Sequence, residues 1–459
     1  MGSSCDFRKR KVNVFSFVVC GSVFLCLLPA GCAGAAGSVA QSSSNSPAAT
    51  PTSTPAPSGG GVTGGRFLYV SGTSQNFNTA NTVGAMAGFL EVFSLNASSG
   101  VLTPIAGSPF ATQYSTTTDM ALAPGGAFAY LLAQQFPAGT CCVGPTFLLV
   151  FSLDAASGAP TLKQALATNA LEVSTIAVHP SGQFVYVTPY SGDAGTGGIG
   201  VFAVQADGTL AAGDSIPTQS TGSAILDPTG NFLYSSSDGQ PVGNLGNNPC
   251  GLFNSNLWGF SVNQTTGALT AVNGSPFVFQ RQLCVVGHAP QYITKQIDPA
   301  GQHLFVVDVG NATVTTFAID PSSGALTALA GTSTAGAVSG FTASAIDPLG
   351  RFLYIGSLID SFTGFSLSGN PASGVLPVLA GMPAQMSPLP NFDEGSTTVA
   401  IDPSGSFLFS NENGYTSAFS CCGPDDFVEF SIDPTTGALT QVPSTPIKLA
   451  GTAARIAAR

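Results

Sequence analysis

Two short hydrophobic patterns recur along the chain from residue 66 onwards. The first is a five-residue run with aromatic residues, such as RFLYV at 66–70 and RFLYI at 351–355. The second joins an alternating apolar segment to a Gly-containing turn, as in TFAIDPSSGAL at 316–326 and EFSIDPTTGAL at 429–439. Each pattern occurs seven times at variable spacing. Alternating and β-branched residues over these lengths indicate strands, and constant patterns at variable spacing indicate constant strands joined by variable loops.

Each repeat predicts four strands, which we call A to D. Strand A ends in an Asp-Pro-x-Gly sequence, found at 227–230, 298–301, 347–350 and 402–405, which suits a type I turn. Strand B is the aromatic run, strand C is the alternating segment, and strand D follows the Gly-containing turn. When such sheets pack side by side around a central axis, each sheet has a neighbour on both of its faces. The sequence therefore predicts an all-β, seven-bladed β-propeller of four-stranded antiparallel blades, with a β-sandwich of the same strands as the alternative.

The strand count also predicts how the ring closes. There are seven sets of strands B, C and D, but only six A strands, because the first repeat begins at strand B. The chain ends in GTAARI at 451–456, where an eighth A strand is due. We therefore expect the C-terminal strand to complete the first blade.

The N-terminal segment has the pattern of an export signal. A basic cluster at 8–11 precedes an apolar run at 12–28, and small residues follow, so residues 1–31 are predicted to be a secretory signal peptide. The Ala-Gly-Cys sequence ending at Cys32 resembles the cleavage motif of bacterial lipoproteins, which makes Cys32 the predicted lipid attachment. Pro29 departs from that motif, and plain secretion is the alternative.

Composition separates a linker from the body of the protein. Residues 32–61 are mainly Ser, Thr, Pro, Ala and Gly, which predicts a disordered tether, and residues 62–459 form the predicted propeller. The expected location is extracytoplasmic, either lipid-anchored at a bacterial cell envelope or secreted. Contact with a membrane is expected only through the anchor, and we expect a monomer.

Charge limits the function classes further. Only 8% of residues are charged, with 12 Lys and Arg against 23 Asp and Glu, giving a net charge of −11. Nucleic acid is excluded as a partner because phosphate neutralisation needs clustered basic residues. The acidic groups Asp425, Asp426 and Glu429 are interpreted as solvated loop charges rather than as a metal site, and neither a metal nor a cofactor is predicted.

The repeats Asp-Pro-x-Gly-x-Phe-Leu-Tyr and Phe-Ser-Ile-Asp-Pro-x-x-Gly-Ala-Leu-Thr resemble those of the seven-bladed lactonase family. This family includes the 6-phosphogluconolactonase-like and muconate-cycloisomerase-like proteins, and the resemblance covers residues 62–459. It implies chemistry at the mouth of the central channel, on the face of the B–C and D–A connections. The long B–C loops predicted on that face are 71–88, 132–146, 236–256 and 411–426.

The candidate catalytic residues lie around the fourth D–A connection. The resemblance implies a His-rich stretch before the turn and an acidic motif after strand B. Here His288 is unaccompanied, Asp308 matches, and Ala312 replaces the second acid. Lactone hydrolysis needs a base and a group that stabilises the oxyanion. We therefore predict His288 as base, Arg281 as the oxyanion partner and Asp308 as the third site residue, with His179 and His303 structural.

Six cysteines fall on the same predicted face. Cys250 and Cys284 are candidates for a disulfide in an exported protein. The adjacent pairs, Cys141 with Cys142 and Cys421 with Cys422, allow two vicinal disulfides or cross-links between the pairs. Their spacing is not that of a zinc site.

Two functions follow from these observations. The shortage of ionisable residues favours a binding module that presents its looped face to a glycan, peptide or envelope partner. The family resemblance favours an enzyme that hydrolyses or isomerises a small sugar-type lactone. A phosphorylated lactone is disfavoured because few basic residues remain to bind a phosphate.

Overall fold

The computed structural model describes residues 66–77, 83–136, 144–191, 197–218, 222–241, 250–284, 293–308, 313–334, 341–357, 361–368, 373–385, 398–412 and 425–459. The predicted signal peptide, Cys32 and tether lie outside these residues. Among the described residues, no helix has the length and apolar character needed to span a membrane.

The described strands form seven separate antiparallel sheets. The first contains β1 (Phe67–Phe77), β2 (Val83–Leu95), β3 (Leu102–Pro104) and β4 (Phe110–Ala111). The second contains β5 (Thr116–Leu122), β6 (Phe128–Gln134), β7 (Thr146–Leu153) and β8 (Pro160–Thr168). The third contains β9 (Ala170–Val178), β10 (Phe184–Ser191), β11 (Gly197–Val204) and β12 (Leu210–Pro217). The fourth contains β13 (Ile225–Leu226), β14 (Phe232–Pro241), β15 (Cys250–Val262), β16 (Leu269–Ala271) and β17 (Phe277–Cys284).

The remaining sheets repeat the same order. The fifth contains β18 (Ile293–Ile297), β19 (His303–Asp308), β20 (Thr313–Ile319) and β21 (Leu326–Thr334). The sixth contains β22 (Phe341–Ile346), β23 (Phe352–Ser357), β24 (Ser361–Ser366) and β25 (Ala384–Gln385). The seventh contains β26 (Val399–Ile401), β27 (Phe407–Glu412), β28 (Asp426–Ile432), β29 (Leu439–Gln441) and β30 (Ile447–Lys448). The last strand is β31 (Thr452–Ala458).

The C-terminal strand closes the ring. β31 pairs antiparallel with β1, with Leu68 opposite Ala458 and Val70 opposite Ile456. The innermost strands contact one another in a complete circle, in the order β31, β5, β9, β13, β18, β22, β26 and back to β31. The predicted seven-bladed propeller and its closure by the terminal strand are confirmed.

The hydrophobic core lies between the blades rather than at the centre of the molecule. Seven buried clusters each join two neighbouring blades, and the aromatic residues of the B strands contribute to them. This arrangement follows from the sequence, because alternate residues of a strand point to opposite faces of its sheet and each face needs an apolar neighbour. The innermost strands surround the centre of the ring.

A recurring hydrogen bond, which we call the tyrosine latch, joins consecutive blades. The hydroxyl of Tyr69 on β1 donates to the carbonyl of Gly158 in the second blade at 3.0 Å. The latch recurs from Tyr186 to Gly267, from Tyr234 to Gly324 and from Tyr354 to Gly437. The acceptor is a glycine because its φ is positive, at 75° for Gly158, and because a Cβ there would overlap the ring of Phe67.

The predicted B–C loops are shorter than expected, most of all in the first and fourth blades. In the first blade, strand pairing continues through Gln75 opposite Met86, within the predicted loop 71–88. In the fourth blade it continues to Pro241 opposite Phe253, within 236–256. The prediction was wrong in these parts because the polar and Gly-rich sequences that suggested loops extend the hairpins instead.

Candidate functional site

The innermost strands line the channel, and four of them carry a charged residue. These residues are Asp119 on β5, Glu172 on β9, Lys295 on β18 and Arg455 on β31, and the side chain of Glu172 lies outside the described residues. The innermost strands β13, β22 and β26 carry no charged residue. Asp119 and Arg455 therefore bring charged groups to the wall of the channel in a chain with very few of them.

Asp119 and Arg455 form an ion pair in the wall of the channel. The Nε of Arg455 lies 3.5 Å from the Oδ1 of Asp119, and the side chains are 55% and 7% exposed. The other carboxylate oxygen of Asp119 accepts a hydrogen bond of 2.7 Å from the backbone N–H of Ile176 on β9. The Asp119 carboxyl thus connects three consecutive blades and orients an exposed guanidinium.

Burial raises the pKa of the Asp119 carboxyl above its ordinary value. The positive charge of Arg455 and the backbone N–H groups of Ile176 and Met120 oppose that shift without cancelling it. The ion pair therefore offsets part of the desolvation cost of the buried carboxyl.

Lys295 connects the fifth blade to the fourth. The residue is 5% exposed, and its Nζ donates to the Oγ of Ser236 at 2.7 Å and of Ser223 at 3.2 Å. Ser236 lies on β14, while Ser223 precedes β13. A buried ammonium needs such acceptors, so these contacts explain its position between two blades.

The junction of the seventh and first blades contains a third polar group. Asp425 is 1% exposed, and its Oδ2 accepts from the Nδ2 of Asn411 at 2.7 Å and from the N–H of Ala453 at 2.9 Å. Glu429 is fully buried, and Asp426 forms a 2.8 Å ion pair with Lys448. The interpretation of Asp425 and Glu429 as solvated loop charges was wrong, because the closing strand contacts Asp425 and the turn at Gly100 of the first blade covers Glu429.

The predicted catalytic residues are only partly described. Asp308 ends β19, is 4% exposed and lies opposite Ile293 on the innermost strand of the fifth blade. The backbone of Arg281 lies on β17, opposite Phe253, and its side chain is outside the described residues, as is all of His288. The assignment of this trio to one site remains a prediction.

The two other histidines have structural contacts in turns. His179 occupies the Asp position of its turn, where its Nε2 donates to the carbonyl of Gly230 at 2.9 Å and its Nδ1 accepts from the N–H of Ser181 at 3.1 Å. The Nδ1 of His303 lies 2.7 Å from the Oδ2 of Asp298 in another turn. These contacts agree with the prediction that both residues are structural.

The cysteine predictions are described only through the backbone. Cys250 on β15 lies directly opposite Cys284 on β17, but neither side chain is among those described. The pairs 141–142 and 421–422 lie outside the described residues. Among the residues that are described, no group of three or more His, Cys, Asp or Glu side chains has the arrangement of a metal site.

The sequence alone gave no functional role to Asp119, Lys295 or Arg455. A signal was present, since each is a lone charge in a predicted A strand. Their proximity to the channel depends on which blades adjoin, and that information requires the closed ring.

Comparisons with known proteins agree with the fold. Residues 294–451, which cover most of the last three blades, match the family model for the lactonase seven-bladed β-propeller. The periplasmic gluconolactonase of Pseudomonas aeruginosa has a similar structure, with a TM-score of 0.60 and 18% identity over 85% of this chain and 99% of that one. A candidate 6-phosphogluconolactonase from Bacteroides uniformis has a TM-score of 0.59 and 16% identity over 86% and 99% of the two chains. No curated protein matches in sequence. The predicted resemblance to the lactonase family is thus confirmed, and at these identities the structural similarity shows the fold alone.

Proposed function

We propose that the protein is a lactonase-type hydrolase that opens a sugar-type lactone in its central channel. The observation that carries this proposal is the exposed guanidinium of Arg455, held on an innermost strand by the buried carboxyl of Asp119. The family resemblance supports it, as does the similarity in fold to a periplasmic gluconolactonase.

The chemistry requires two groups that act on the ester. Water loses a proton to a base and adds to the lactone carbonyl carbon, which gives a tetrahedral oxyanion. The bond from that carbon to the ring oxygen then breaks, and the ring oxygen takes up a proton. A base speeds the first step, and a fixed cation or hydrogen-bond donor stabilises the oxyanion.

Arg455 is suited to the role of oxyanion partner. Its Nε faces Asp119, and its Nη1 and Nη2 have no hydrogen-bond partner within the described part of the chain. Those two groups remain available to a substrate oxygen, while the ion pair limits the rotation of the guanidinium. In this proposal, Asp119 is a positioning residue.

The base and the other proposed catalytic groups are the residues predicted from the sequence. We propose His288 as the base, since it precedes β18 in the D–A connection where the family resemblance implies histidine. Asp308, buried at the end of the neighbouring strand β19, is proposed to assist it, and Arg281 is proposed as a second cation.

A panel of lactones tests this function directly. We expect the purified protein to hydrolyse D-glucono-δ-lactone faster than its 6-phosphate, with acid release followed in a pH-stat. The substitutions Arg455→Gln and His288→Ala should each lower kcat/KM by about 10²-fold or more, the usual loss for an oxyanion donor or a general base.

Lys448→Gln provides a matched control for the loss of a positive charge. Lys448 forms an exposed ion pair on the outer part of the seventh blade, so its replacement should leave turnover unchanged. Turnover that survives both Arg455→Gln and His288→Ala would contradict the proposed mechanism.

A binding module is the second candidate, favoured by the charged fraction of only 8%. Its ligand would be a glycan or peptide bound at the looped face, in keeping with the proposed export of the protein. Absence of turnover across the lactone panel, with retained binding to a glycan array, would favour this function over hydrolysis.

A further inference from the structure

The tyrosine latch is not made in the same way at every blade junction. In the fifth and seventh blades the tyrosine position holds Phe305 and Phe409, which have no hydroxyl to donate. At these two junctions the residue directly across the hairpin on strand C is polar. At the other five junctions that residue is valine or glycine: Val92, Val150, Val201, Gly259 and Gly364.

The fifth blade shows how the missing hydroxyl is replaced. Thr316 on β20 lies opposite Phe305 and is fully buried. Its Oγ1 donates to the carbonyl of Gly374, the turn glycine of the sixth blade, at 3.5 Å. The donor has moved from strand B to strand C, and the acceptor is again the glycine of the C–D turn in the next blade.

The seventh blade places a carboxyl group in the corresponding position. Glu429 on β28 lies opposite Phe409 and is fully buried. Its Oε1 is 2.6 Å from the point that a Cβ on Gly100 would occupy, and Gly100 is the turn glycine of the first blade. Neither carboxyl oxygen has a hydrogen-bond partner in the described part of the chain.

The surroundings of Glu429 disfavour a negative charge. The facing turn at 96–101 has no ionisable side chain, and neither do β26 and β29. Burial and the carboxylate of Asp402 raise the pKa of Glu429 to about 8. Asp402 itself pairs with a cation, since the Nη1 of Arg66 lies 3.4 Å from its Oδ2, and Glu429 forms no ion pair with a cation among the described residues.

Other ionisable groups of this blade and of its junction with the first blade have contacts of their own. Asp433 accepts hydrogen bonds from Thr435 and Thr436 in its turn, and Glu91 of the first blade accepts from the N–H of Ala450. Asp425 accepts hydrogen bonds from Asn411 and Ala453, and Asp426 pairs with Lys448. Glu412 is on the adjacent strand, and its side chain is outside the described set.

We propose that Glu429 is a neutral carboxylic acid whose O–H donates to the carbonyl of Gly100, replacing the tyrosine latch at the junction that closes the ring. When the carboxyl loses this proton, both of its oxygens become acceptors that cannot bond the carbonyl of Gly100. A buried negative charge then remains without a partner. Closure of the propeller between its last and first blades therefore depends on pH, whatever reaction or ligand the channel serves.

The direction of the dependence follows from proton linkage. In the unfolded chain the carboxyl has an ordinary pKa of 4.5, whereas in the folded protein its pKa is about 8. The stabilising contribution is complete below about pH 4.5, and it falls as the pH rises to about 8. The unfolding equilibrium constant should rise by up to about 10³-fold across this interval because of Glu429 alone.

The test compares pH profiles of unfolding by urea for four proteins. The free energy of unfolding of the wild-type protein should fall between pH 5 and 8, in addition to any change caused by its other titrating groups. Glu429→Gln, which keeps a donor that does not ionise, should lack it. The double substitution Phe409→Tyr with Glu429→Val restores the arrangement of the other blades and should also lack it.

Phe305→Tyr with Thr316→Val is the matched control. It makes the same exchange at the junction of the fifth and sixth blades, where no carboxyl is involved, so its profile should parallel wild type. Parallel profiles for wild type and Glu429→Gln would overturn the proposal. If the Glu429 variants do not fold, the titration of the Glu429 carboxyl carbon in the wild-type protein can be followed by carbon-13 NMR. A titration midpoint near pH 4.5 would contradict the proposal.

Discussion

At the scale of single residues, the tyrosine position of strand B makes different contacts in different blades. Burial raises the pKa of the hydroxyls of Tyr69 and Tyr130 to about 12, so both are neutral donors at physiological pH. Tyr69 makes the latch to Gly158, whereas the buried hydroxyl of Tyr130 has no hydrogen-bond partner among the described residues. The same residue in the same sequence pattern therefore contributes differently to stability.

The substitutions Tyr186→Phe and Tyr130→Phe should separate these two cases. Removing the hydroxyl of Tyr186 leaves the carbonyl of Gly267 without its donor, which should lower the free energy of unfolding by about 1–2 kcal/mol. Removing the hydroxyl of Tyr130 removes an unsatisfied buried group and should leave stability unchanged or slightly higher. Urea unfolding at constant m-value measures both, and equal losses for the two variants would contradict the argument.

At the scale of strands, the extended hairpin of the fourth blade gives a geometric basis for a disulfide. β17 pairs with the outer part of β15, and this register brings Cys250 opposite Cys284. Opposed residues in an antiparallel pair have Cα atoms about 4.5–5.5 Å apart. Disulfides span Cα separations of about 4.4–6.8 Å.

We therefore predict that Cys250 and Cys284 are joined when the protein folds in an oxidising compartment. Mass spectrometry of a non-reduced digest should find the linked peptide, and Cys250→Ser with Cys284→Ser should lower the free energy of unfolding by about 2–4 kcal/mol. Reducing agent should lower the stability of wild type but not that of the double variant. Recovery of both cysteines as free thiols from an oxidising compartment would contradict the prediction.

At the scale of the molecule, the ends of the folded chain hold the propeller together. β31 supplies the innermost strand of the first blade, and Ala453 and Ile456 lie in the core cluster between the seventh and first blades. Arg459 adds contacts of its guanidinium with the rings of Phe67 and Tyr69. Closure thus combines backbone pairing, apolar packing and the carboxyl group of Glu429.

Deletion of residues 452–459 should therefore destabilise the whole ring. We expect a loss of at least about 3 kcal/mol from the emptied core positions, together with self-association through the exposed edge of β1. Thermal unfolding and size-exclusion chromatography measure the two effects. Deletion of residues 1–61, the predicted signal and tether, is the control and should change neither; an equally stable monomer without β31 would contradict the closure argument.

Much of the architecture could be predicted from the sequence because its signals are local and repeated. Pro-x-Gly turns, the Phe-x-Tyr runs and the missing first A strand each follow from neighbouring residues. The environments of Asp425 and Glu429 could not be predicted this way, because both are buried by β31 or by the turn at Gly100, more than 25 and 300 residues away in sequence.

The chain alone therefore specified seven blades and their order, since strand periodicity and turn chemistry act over a few residues. It did not specify which charges meet at the channel or at the closing junction. The pairing of Arg455 with Asp119 and the contact of Glu429 with the first blade exist only when the last blade lies beside the first. Electrostatic environments depend on distance and burial in space, and in this protein ring closure sets both.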